Sequence, residues 1–306
     1  MSDRAGASIV LPFIVFTLIW GTTWIVIRDQ LGDVPPQWSI TYRFLIAAAA
    51  MAAMTRWKGE SLKLGRDGLA AAAFLGFLQF VINFNAVYMA EHHITSGLVA
   101  TVFALLLIPN SLLAWAFLDQ RPSARFAWGS LFAVAGIALL FIHELREHPA
   151  RSGAILIGIG LTLAGMLGAS AANVFQARDK VKRFPLFALL TWAMLLGAVM
   201  DGAIALAVAG PPVVESRPGY WFGLLYLAIF ASALAFSLYL PVVRKIGPGK
   251  AAYSSVLVPI IAMGFSTWLE GYRWTWLAVL GAILALGGML GALSRSRSVV
   301  AAPDAA

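Results

Sequence analysis

The chain is built from apolar runs of about twenty residues separated by short polar breaks, and that pattern restricts its fold more than any other feature. A helix crossing the hydrocarbon of a bilayer needs about 20 mostly apolar residues. Ten such runs can be marked, at 8–27, 36–54, 68–90, 95–118, 124–142, 153–176, 184–208, 219–241, 250–269 and 274–293. Stretches such as Ala70-Ala71-Ala72-Ala73-Phe74-Leu75 are continuously apolar and lack the period-two alternation of membrane barrel strands. The expected fold is therefore an all-α membrane protein with ten transmembrane helices. Composition agrees: 60% of residues are hydrophobic and 12% charged, against roughly 25% charged in soluble domains. The lead from Met1 to Ala7 precedes a run longer than a signal-peptide core, with no persuasive small-residue cleavage site, so 8–27 is expected to stay as the first helix.

The net charge of +8 does not point to nucleic acid, because the basic residues lie in short loops between apolar runs. Lys and Arg concentrate in cytoplasmic loops and set orientation. Sixteen of the 22 fall on the N-terminal side of the ten-span arrangement, five on the other, and Arg43 lies within a span. Both termini are expected in the cytoplasm, with 294–306 as a cytoplasmic tail, in a multi-pass protein of the bacterial inner membrane.

Shifting the sequence against itself by 150 to 152 positions aligns Arg28-Asp29 with Arg178-Asp179, Pro35 with Pro185, Pro109 with Pro259, Tyr88 with Tyr239, Asp119 with Glu270, and Gly129 and Gly136 with Gly281 and Gly288. Two repeats follow, at 8–142 and 153–293. An odd number of helices in each makes the second enter the membrane from the opposite side, the inverted-repeat plan of many secondary transporters.

The element Trp20-Gly21-Thr22-Thr23-Trp24, the pair Arg43-Phe44, and a helix-end acid before a Gly-containing helix in each half (Asp119 before Gly129 and Gly136, Glu270 before Gly281 and Gly288) resemble the drug/metabolite transporter superfamily, its EamA-type ten-helix members, and most of all the bacterial exporters of aromatic amino acids. The resemblance covers about residues 8–293. It implies a central cavity formed by helices 3, 4, 8 and 9 with contributions from 1 and 6, with helices 5 and 10 at the periphery. It also implies amino-acid export, with another metabolite or a drug as the alternative. The small four-helix multidrug members carry an essential glutamate in the first helix. Residues 8–27 contain no acid, so proton-coupled export of lipophilic cations by that route is not expected.

Within the supposed central helices, the candidate substrate-binding residues are Trp20, Thr23, Trp24, Gln79, Asn83, Tyr88, Thr101, Ser170, Asn173, Ser237, Tyr239, Tyr253 and Ser254. Amides and hydroxyls offer both donors and acceptors to a zwitterion without a buried full charge. Aromatic faces add cation–π attraction and surface for a ring. The same residues also serve as interhelical glue. Pro109 and Pro259 near mid-span permit kinks and are candidate hinges, or static kinks for packing. Arg43 and Asp201 are charges at membrane depth, read either as a pair or a substrate contact, or as side chains reaching the surface. Trp57, Trp128, Tyr220, Trp221, Trp274 and Trp276 read as interfacial anchors, and the GxxxG spacing of Gly287 and Gly291 as close helix packing within one subunit.

A rival class, an intramembrane enzyme, needs ligands or a nucleophile–base pair within the spans. The chain has no cysteine, and His143 and His148 stand five apart, off a shared helical face. A receptor or scaffold would carry a soluble domain. Neither catalytic residues, nor a metal, nor a cofactor is expected. The partners are a small solute, with an amino acid favoured, and the lipid bilayer; a monomer is expected to suffice.

Overall fold

A computed structural model describes residues 2–247, 251 and 254–293. The helices along the chain are α1 (Ser2–Gln30), α2 (Pro36–Trp57), α3 (Arg66–Glu91), α4 (Ser96–Leu118), α5 (Ala124–Glu147), α6 (Ser152–Ala177), α7 (Leu186–Ala209), α8 (Pro218–Ile246), α9 (Ser254–Leu269) and α10 (Trp276–Leu293). No strand occurs among the described residues. Seven of these helical segments are long and apolar enough to cross a membrane, while Leu257–Leu269 and Trp276–Ala292 are shorter apolar helices. The 22-residue α2 is diluted by Gln37, Ser39, Thr41 and Arg43, which crowd its first two turns. Tyr253 and the tail 294–306 lie outside the described residues.

The helices begin and end where local chemistry dictates. Prolines occupy the first turns of α2 and α8, where no helical N–H is lost. Ser123 caps α5, its Oγ accepting from the Phe126 N–H at 3.1 Å. Three rods are not uniform. α3 contains a π-helical segment at Phe77–Ile82 and α8 one at Tyr226–Leu234, and α4 tightens to 3₁₀ at Ala104–Leu106 just before Pro109. The π segments lie in α3 and α8, the helices that the sequence offset aligns. Such turns shift the side-chain register and re-aim residues.

Large apolar side chains stay exposed around the outside, among them Leu11, Phe222, Val208 and Ile283, as suits a surface covered by lipid. Trp57, Trp128, Trp274 and Trp276 are exposed too. Tyr220, expected as an interfacial anchor, is instead fully buried, because its hydroxyl finds Ser39 Oγ at 2.8 Å across the α2–α8 contact. Trp221 is half-buried, donating to the Glu215 carbonyl at 2.8 Å.

α5 and α10 pack as a separate pair at one flank. A Cβ on Gly129 would stand 2.3 Å from Ala292 N and one on Gly136 2.3 Å from Ala285 N, so these backbones meet directly. Gly288 belongs to this contact, while a Cβ on Gly287 or Gly291 would meet nothing within 4 Å. The other eight helices surround the centre. Gly21 of the Trp20–Trp24 element lets α1 lie against Ile261 of α9, where a Cβ would meet that side chain at 2.7 Å.

Candidate functional site

A central cavity of about 850 Å³, counted to its mouth, lies between α1, α2, α3, α4, α6, α8 and α9. Its aromatic surfaces come from Trp20, Trp24, Phe84, Phe103, Phe236 and Tyr239. The rings brace one another: Trp20 lies 4.8 Å from Tyr239 and 5.5 Å from Phe236, and Trp24 lies 5.3 Å from Phe103, all centroid to centroid. Gln79, Asn83, Asn173, Thr23 and Ser254 add polar groups.

Part of this polarity is already engaged. Trp20 Nε1 donates to the Ala231 carbonyl at 3.1 Å, Thr23 Oγ1 to the Ile19 carbonyl at 2.9 Å, and the Tyr239 hydroxyl pairs with Asn173. Two groups on the wall have no partner among the described residues: the Trp24 Nε1 donor and the Asn83 Oδ1 acceptor. Buried polar atoms are nearly always satisfied, so an unused donor and acceptor on one cavity wall mark a place for a ligand.

Arg43 is the one charged residue on the wall among the described residues, and it is 1% exposed. Its Nε donates to Ser232 Oγ at 3.0 Å, its Nη1 to the Tyr88 hydroxyl at 3.4 Å, and its guanidinium lies 4.5 Å from the centroid of the Phe84 ring. Ser232 is in the π-helical segment of α8, its own hydroxyl donating back to the Leu227 carbonyl at 2.8 Å. Arg43 therefore neither reaches the surface nor pairs with Asp201. Asp201, fully buried on α7, instead accepts from Asn85 Nδ2 at 2.5 Å.

Of the residues singled out in the sequence, Trp20, Thr23, Trp24, Gln79, Asn83, Asn173, Tyr239 and Ser254 line the cavity, together with Arg43 and Pro259. Tyr88 sits behind the wall holding Arg43. Thr101 donates to the Gly97 carbonyl at 2.7 Å, and Ser237 to the Ala233 carbonyl at 2.6 Å beside Met51 and Met54. Ser170 is buried with no partner among the described residues, Pro109 is buried in α4, and Tyr253 lies outside the described residues. The lining residues that polarity missed are apolar, such as Phe84, Val87, Ala100, Phe103 and Phe236. Helical spacing was the available signal, since Gln79, Asn83 and Val87 continue one face four residues at a time.

The chain belongs to the EamA-like transporter family, which matches residues 7–142 and 156–294. It is 30% identical over 259 residues to the uncharacterized inner membrane transporter YedA of Escherichia coli (strain K12), covering 83% of this chain and 80% of that one. It is 24% identical over 302 residues to the probable amino-acid metabolite efflux pump of the same organism, covering 94% of each. A solved protein structure with 20% sequence identity superposes with a TM-score of 0.69, over 94% of this chain and 97% of that one, and so shares the fold.

Proposed function

We propose that this multi-pass member of the EamA-like transporter family exports zwitterionic amino acids, favouring aromatic and other large neutral side chains, by alternating access through the central cavity. In this reading all ten helices α1 to α10 span the inner membrane as two inverted five-helix repeats, both termini are cytoplasmic, and one subunit suffices. Two consecutive matches to one family and the loop-charge bias support that arrangement.

One observation carries the substrate class: among the described residues the cavity wall presents a guanidinium and no carboxylate, with aromatic rings and an unpaired amide oxygen. The substrate carboxylate is assigned to Arg43 and the Trp24 N–H, its ammonium to Asn83 Oδ1, and its ring to the surfaces of Trp20, Phe84 and Phe103. A cation without a carboxylate meets Arg43 with no compensating acid, which disfavours a quaternary-ammonium drug. A relative is named a probable amino-acid metabolite efflux pump.

Counterflow in proteoliposomes, with amino acids, sugars, nucleosides and lipophilic cations as competitors, tests the assignment. Tryptophan and methionine are expected to exchange. Exchange of quaternary cations without either amino acid would replace this reading with drug efflux.

A further inference from the structure

Beyond the cavity, where α1, α3, α4 and α9 end together, a second group of ionisable side chains is buried. The cavity ends here at Ile27 and Val87. One turn further, Glu91 is fully buried at the end of α3, and neither of its carboxylate oxygens has a hydrogen-bond partner among the described residues. Around it stand Arg28 of α1, Arg43 of α2 and Glu270 at the end of α9, with His92 and His93 next in sequence.

Arg28 and Glu270 are tied to each other and not to the Glu91 carboxylate. Arg28 donates to the Glu91 backbone carbonyl, and its Nε lies 3.7 Å from Glu270 Oε1. Glu270 accepts from Ser96 Oγ at 2.6 Å and from the Ser96 N–H at 3.2 Å. The contacts form a latch joining α1, α3, α4 and α9, each of which lines the cavity. At the opposite end of the repeat, the counterparts Arg178 and Asp119 are both exposed and unpaired with one another; Arg178 lies 5.3 Å from the Phe117 ring centroid. The residue offset by 150 from Glu91 is Pro241, so the second latch has no matching acid.

We infer that Glu91 is a proton-binding site whose occupancy holds or releases this latch, so that pH gates this end of the cavity. The inference rests on the transport reading above, but on no particular solute.

The physical argument concerns the carboxyl's charge. An ionised carboxylate buried without a donor is costly, and here it would also face the Glu270 carboxylate. Ionised Glu91 would draw Arg28 off Glu270 or draw in water, and either event opens the latch. The neutral acid fits the closed pocket as it stands. In the open state Glu91 takes a proton from water outside and the latch closes. When that proton is lost again to water at higher pH, the ionised carboxylate reopens the latch. One proton is bound and released at the Glu91 carboxyl, and no other covalent bond changes.

The chain has no cysteine, so spin labels can be attached to a Gly32→Cys/Arg273→Cys double variant, both positions being exposed at the latch end. Electron-spin distance measurements on the full chain in nanodiscs are expected to give a short distance at acid pH and a growing longer component as pH rises. Adding Glu91→Gln should lose that pH dependence and keep the short distance throughout. Glu91→Asp should retain the dependence, as should the His92→Gln/His93→Gln variant. An unchanged pH profile in Glu91→Gln, a profile lost only with the histidines, or a distance insensitive to pH in the parent would overturn the inference. Tryptophan counterflow in the same preparations separates the two ideas: a working pH switch without tryptophan exchange sinks the amino-acid reading alone.

Discussion

Asn85 on α3 donates to Asp201 on α7 at 2.5 Å, and this buried contact, not a bond to Arg43, is what the intramembrane aspartate makes. It ties a cavity helix to its outer neighbour, with Asn85 half-buried and Asp201 fully so. Asn85 Nδ2 also donates to the Val81 carbonyl at 2.9 Å, so Asp201→Ala removes one of its two acceptors, at about 1–3 kcal/mol. The expected result is a lower unfolding midpoint in detergent with tryptophan affinity unchanged. A weakened affinity at normal stability would place Asp201 in the transport pathway instead.

Arg43→Gln removes the charge assigned to the substrate carboxylate and leaves a shorter side chain with two amide donors in place of five. Hydrogen bonds to charged groups contribute about 1.5–3 kcal/mol, so tryptophan binding should fall by about 10- to 150-fold. Tryptamine, which lacks the carboxylate, should not discriminate between parent and variant in competition assays. Asn83→Ala, which removes the unpaired amide oxygen, should weaken tryptophan by about 5- to 150-fold.

Gly129→Ala drives a methyl into the α10 backbone, with Gly288 O at 2.5 Å and Ala292 N at 2.3 Å. Overpacking of this kind costs about 1–3 kcal/mol. Thermal stability should drop while turnover per folded molecule persists, because α5 and α10 do not line the cavity. Gly291→Ala meets open space and should leave both measurements unchanged.

Pro259 stands on the cavity wall within α9, and Pro109 follows the 3₁₀ turn of α4. If both act as hinges, replacing either with alanine restores a backbone bond and stiffens its helix. Exchange rates should fall more than equilibrium affinity in each single variant. Equal rates in both variants and in the double variant would leave the prolines as packing features.

If the C-terminus is cytoplasmic, as the loop-charge bias predicts, alkaline phosphatase fused after Ala306 should be inactive. Periplasmic activity of that fusion would reverse the proposed orientation.

What the sequence determined by itself is what short-range physics enforces. A bilayer demands runs of about 20 apolar residues, so helical segments and the short turns between them were legible. The repeat offset picked out Gly129, Gly136, Gly281 and Gly288, which meet across the α5–α10 contact. Polar residues in mid-span marked eight positions on the cavity wall.

Tertiary structure decided which face of each helix turns inward, and polarity alone could not settle that for Tyr88, Thr101 or Ser237, whose hydroxyls are taken up by Arg43 and by backbone carbonyls. It decided the partner of Arg43, because a π-helical segment in α8 presents Ser232 to the guanidinium. It also set Glu91 beside Glu270, residues far apart in the chain. Neither hydropathy nor spacing records such a juxtaposition, since the free energy of a buried charge depends on the groups that folding brings around it.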